Sequence, residues 1–177
     1  MFRKIAQASL LALGIFAIMA PAALASDGTT ATVTGGSLSI TNPAAADFAG
    51  RNVTGLDQTT TAGLAAFSVS DLTGSGAGWH VTAQATQFEG TNHDLAVGSL
   101  SMSQPTVASP DTTSEDPTVA TGPYTIDDDA VQIASADTDT GMGTYDFSAT
   151  TLTLALPADV YADAYASTVT ISVVTAP

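Results

Sequence analysis

The side chains best able to do chemistry are carboxylates. "DTDTGMGTYD", Asp137 to Asp146, sets Asp137 and Asp139 at alternate positions ahead of two glycines, as a calcium loop begins. It departs from the EF-hand pattern at the fifth position, Gly141, and at the twelfth, Ser148, where a bidentate glutamate is required. The triplet Asp127, Asp128 and Asp129 could lend carboxylates from elsewhere in the fold, which makes Asp127, Asp129, Asp137 and Asp139 the candidate set for Ca²⁺. A glycine-rich turn between strands is the plainer reading of the segment and the favoured one. No other cofactor is expected. His80 has no ligand at a metal-binding spacing. A serine and an aspartate can be found near His80 or His93 only because both types abound, so no catalytic set emerges. The acidic pairs lack the aromatic surroundings of a glycosidase site. The chain reads as a non-enzyme.

The other marked stretch is "DLTGSGAGWHVTAQATQF", residues 71–88, which holds the only tryptophan. Trp79 has two readings, an exposed platform for a sugar or peptide plane and a core anchor. Its phase decides for the core. Trp79, Val81, Ala83 and Ala85 alternate with His80, Thr82, Gln84 and Thr86, which a strand would divide cleanly between two faces. Gly76 and Gly78 in the preceding "GSGAG" let backbone pass close beneath the indole.

These residues need elements to carry them. The chain begins "MFRKIAQASLLALGIFAIMAPAALAS", with Arg3 and Lys4, an apolar run and the small-residue triplet Ala23, Leu24, Ala25. That is a secretory signal peptide, residues 1–25, with cleavage expected before Ser26. It leaves 26–177 as one domain. Arg51 is then the only strong base against 17 acidic residues, a net charge of about −16. Such a field repels nucleic acid and anionic lipid, so neither is an expected partner. Cysteine is absent, so an exported domain must hold together by packing. With no sorting signal or lipid-bearing cysteine, any attachment to a surface is expected to be noncovalent.

Threonine, serine, alanine and glycine dominate, and the alternation has period two throughout. Strands are expected over 31–41 with a phase change at Gly35 and Gly36, around Val53 and Leu56, at 67–71, at 79–85 and near Leu100 and Met102. Others follow at Tyr124 and Ile126, Val131 and Ile133, Tyr145 and Phe147, Leu152 to Leu156, and 165–173. The proline-bearing stretch 103–123 reads as the longest and most flexible loop. The sum is an all-β protein, an antiparallel, Greek-key-like β-sandwich of about eight short strands, with a barrel as its nearest competitor.

The glycine run before Trp79, the C-terminal "GMGTYDFSATTLTLALPADVYADAYASTVTISVV" and the signal peptide together resemble the WxL domain family of bacterial cell-surface proteins. Asp71, Leu72 and the glycines through Gly78 resemble the stretch that precedes the family's first Trp-x-Leu; Trp79, His80 and Val81 stand in that motif, with valine for leucine. Pro157, Tyr161 and Tyr165 resemble the connection before the last strand, where Ile171, Ser172 and Val173 occupy the place of a second Trp-x-Leu. The resemblance implies an exported domain bound noncovalently to a wall polymer such as peptidoglycan, or to other surface proteins. The weakened second motif keeps a further reading open, self-association through strand edges into a surface layer or fibre.

Overall fold

A computed structural model describes residues 28–110 and 115–176. The expected signal peptide and its cleavage site lie outside the described residues, as does 111–114 of the proline-bearing loop. From Val33 onward the chain forms one unit. Its strands are β1 (Leu38–Ile40), β2 (Gln58–Leu64), β3 (Phe67–Asp71), β4 (Trp79–Ala85), β5 (Leu100–Met102) and β6 (Val107–Ala108). Then come β7 (Thr118–Val119), β8 (Tyr124–Ile126), β9 (Val131–Ala136), β10 (Gly143–Phe147), β11 (Thr150–Leu156) and β12 (Val169–Thr175).

All pairings are antiparallel, in three four-stranded sheets of order β1-β3-β10-β6, β2-β11-β5-β8 and β12-β4-β9-β7. The all-β, antiparallel expectation holds; the expected sandwich of about eight strands does not hold in count or sheet arrangement, since twelve strands in three sheets form among the described residues. Two of the additional ones, β6 and β7, are two-residue edges drawn from the proline-bearing stretch. Another, β2, hides in "QTTTAGL", whose inward face is Thr60, Ala62 and Leu64. Small and hydroxyl side chains carry that alternation, so it does not register as apolar. The short strand expected around Val53 and Leu56 is absent, and both side chains are exposed.

The first strand is also shorter than its pattern. Only Leu38–Ile40 pairs, against β3, and Val33 is 94% exposed. Pairing requires a partner, and β3 ends at Asp71; beyond it the chains stay together through the Gly36 N–H, which donates to the Leu72 carbonyl at 2.6 Å. Elsewhere period two prevails. Strand β4 buries Trp79, Val81, Ala83 and Ala85, and β11 buries Leu152 and Leu154. Between β10 and β11 the inward phase passes from Tyr145 and Phe147 to Thr150, Leu152 and Leu154 as the chain leaves one sheet for another. A register shift opposite Val81 and Thr82 puts both Ile133 and Ala134 of β9 inside.

The sheets share one apolar core. Leu64, Leu100, Met102, Ile126 and Leu152 come from the second sheet, Phe67, Val69, Tyr145 and Phe147 from the first, and Trp79, Val81 and Ile133 from the third. The Phe67 and Phe147 rings stack 4.8 Å apart across paired positions, and the Trp79 and Tyr145 rings meet at 5.7 Å between sheets.

Candidate functional site

The glycine run is a chain of side-chain-closed turns. Buried Asp71 accepts hydrogen bonds from the Thr73 N–H at 3.0 Å and the Thr73 hydroxyl at 2.7 Å. The Thr73 hydroxyl oxygen accepts from the Ser75 N–H at 3.2 Å, and that of Ser75 from the Ala77 N–H at 3.3 Å. The path then runs against the β9–β10 connection, backbone on backbone. A Cβ on Gly78, whose φ is 75°, would lie 2.5 Å from the Ala136 carbonyl oxygen. The Gly76 carbonyl accepts the Asp139 N–H at 2.8 Å.

Trp79 closes this interlock. Fully buried, its indole Nε1–H donates to the Gly141 carbonyl at 2.8 Å. A Cβ at Gly141 would fall 2.2 Å from that of Ala136 and 2.8 Å from the indole nitrogen, so only glycine fits beside the ring. The indole is therefore a core anchor with its one polar group satisfied. The neighbouring motif residues share its burial. Val81 pairs with Val173, and Ile171 with Ala83, across β4 and β12; Ile171 is buried and Val173 half-buried. The place of the second Trp-x-Leu thus carries an inward apolar side chain at Ile171.

The four candidate carboxylates do not form one set. Asp137 and Asp139 lie beyond the C-terminal end of β9, where the Asp137 carbonyl accepts the Thr140 N–H at 3.1 Å in a tight turn. Asp127 and Asp129 lie before its N-terminal end, in a turn closed by the Asp129 N–H on the Asp127 carboxylate at 3.0 Å. Six extended residues, roughly 20 Å of strand, stand between the pairs. Among the described residues no three acidic or histidine side chains converge as metal ligands.

A groove of about 440 Å³ lies elsewhere, over the β2–β11 pair. Leu154 and Leu156 of β11 and Gln58 and Thr60 of β2 line it. One rim is segment 48–53, which includes Val53 of the expected but absent short strand. It is pinned by the Thr60 hydroxyl donating to the Ala49 carbonyl at 2.8 Å and the Gln58 amide donating to the Asn52 carbonyl at 2.9 Å. The other rim is the connection 160–165, with Tyr161 and Tyr165. The Tyr165 hydroxyl donates to the Tyr161 carbonyl at 2.9 Å, and the His93 ring stacks on Tyr161 at 3.6 Å.

Asp163 ties this rim to the connection between β4 and β5. Its carboxylate accepts the Asn92 N–H at 3.0 Å and the Ala164 N–H at 2.8 Å, and these bonds, Asn92 first, hold its pKa below the ordinary value of 3.8. Desolvation, then the charges of Asp163 and Asp94, push the Tyr165 phenol up, so it stays protonated as a donor. Both rims are thus fixed by hydrogen bonds within the protein. Arg51 stands exposed on the first, and no ion pair holds it among the described residues. Sequence reasoning passed over Arg51 as a site residue, although its solitude among the acids was the available signal.

These observations define a disulfide-free, all-β domain with its signature tryptophan inside and a preformed groove outside. The model of the WxL domain, described as surface cell wall-binding, matches residues 21–177, and the chain belongs to that family. It is accordingly a secreted protein of the bacterial cell surface and wall, built as a binding domain and not as an enzyme. The chain has no match among the curated proteins or the solved structures with which it was compared.

Proposed function

We propose that the chain is exported by residues 1–25, is cut before Ser26, and attaches noncovalently to the wall as a single sandwich-type domain, 26–177, with peptidoglycan as the polymer held. The observation that carries this reading is the family match over 21–177. The burial of Trp79 and Ile171 adds a condition: contact with polymer must use other side chains, so the motif residues serve attachment by maintaining the fold. Sedimentation of the exported protein with purified peptidoglycan sacculi is the test. Cosedimentation that saturates is the expected outcome, and a protein that stays in the supernatant would end the proposal.

A second reading rests on β12. This seven-residue strand ends its sheet, hydrogen-bonds to β4 alone and exposes Val174, so the part of its outer edge that the three-residue β1 beside it leaves open can accept a strand from another surface protein or a second copy. Electron microscopy of the concentrated protein separates the readings, because ordered filaments or lattices support assembly and dispersed particles oppose it.

A further inference from the structure

Wall attachment needs a contact surface, and the groove between segment 48–53 and the 160–165 connection is where the charge pattern of the chain is broken. Beyond Lys4, Arg51 is the one strong base in a chain with 17 acidic residues, and it lines this groove. A lone cation on an acidic molecule contributes little to general solubility, and no ion pair here gives it a structural role. Its guanidinium is free to hold a planar anion through two parallel N–H donors.

The rest of the groove suits a sugar. Tyr161 is 59% exposed although His93 covers one face of its ring, so the opposite face is open and the ring is held in place. Such a face packs against the C–H side of a pyranose. Leu154 and Leu156 offer apolar floor, and the groove is preformed because each rim is hydrogen-bonded to another part of the fold, 48–53 through Thr60 and 160–165 through Asn92. The one carboxylate lining it, that of Asp163, has each oxygen engaged by a backbone N–H.

We infer that this groove binds a wall glycan strand bearing carboxylates, with Tyr161 stacked on a sugar ring and Arg51 paired with a carboxylate of the strand or its peptide stem. The inference rests on the wall-attachment reading and locates its contact. A second groove of about 370 Å³ shares Phe48, Leu154 and Tyr165 with the first, giving a strand room to continue past one sugar.

The test compares the exported protein with Arg51→Gln and Tyr161→Ala, both at exposed positions, after thermal melting confirms that each variant keeps its fold. Each is measured for binding to three materials: sacculi stripped of phosphate-bearing polymers, the same sacculi with their carboxylates amidated, and the released phosphate polymers. Binding of the unaltered protein to stripped sacculi is expected to weaken about tenfold with either variant. Amidation should weaken the unaltered protein to the same degree and leave Arg51→Gln unaffected. If the unaltered protein and both variants bind stripped sacculi equally, the groove assignment falls while wall attachment stands. Binding only to the phosphate polymers overturns the carboxylate glycan as ligand, and binding to none of the three overturns the wall-attachment reading along with it.

Discussion

Trp79 gathers three separate contributions at one position: burial of a large ring, a tilted ring contact with Tyr145, and a hydrogen bond to Gly141. Substitutions can part them. Trp79→Ala opens a cavity and should cost about 3–5 kcal/mol of stability. Trp79→Phe keeps most of the apolar surface but strands the Gly141 carbonyl, for a cost of about 1–3 kcal/mol. Urea denaturation midpoints for the two variants should fall in that order, and a Phe variant as unstable as the Ala variant would show that the hydrogen bond dominates. The inward phase of Trp79 was legible because three alternating apolar residues follow it. Its partner was not, because the bond joins positions 62 apart and ends on a carbonyl, which every residue possesses.

At the scale of elements, strands with bulky inward residues were legible and those built from small ones were not. Strands β3, β4, β10 and β11 lie where alternation of Phe, Val, Trp, Tyr and Leu placed them. Strand β2 escaped because Thr60 and Ala62 do the inward work of larger side chains. The groove was illegible for a different reason: its rims are irregular connections, fixed by side-chain-to-backbone bonds that have no periodicity. The 160–165 rim carries a pH dependence whose sign is determined. Asp163 has a lowered pKa in the folded state, so its stabilising bonds are fully present above the unfolded value near 3.8 and are lost as pH falls through the lower folded value. Protection of the Asn92 and Ala164 amides against exchange, taken relative to their intrinsic rates, should therefore fall as pH drops below about 4, and Asp163→Asn should remove that pH dependence.

Across the whole molecule, charge governs how copies meet. With a net charge of −14 on the full chain, and about −16 once the proposed signal peptide is removed, two molecules repel at low ionic strength, and salt relieves the repulsion as the screening length falls to about 10 Å at 0.1 M. Light scattering of the concentrated protein should rise with added NaCl, and at lower concentrations with CaCl₂. Because the acidic pairs lie at opposite ends of β9, MgCl₂ should match CaCl₂ at equal concentration. A response to calcium that magnesium fails to reproduce would point to a specific ion site.

The interlock of the two glycine-bearing loops performs a task that exported domains of this size often assign to cystine. It joins distant parts of the chain through an indole and a peptide carbonyl, neither of which can be reduced or reshuffled. Maturation outside the cell therefore calls for no thiol oxidant or isomerase, and the folded domain should be indifferent to dithiothreitol and to the redox state of its surroundings.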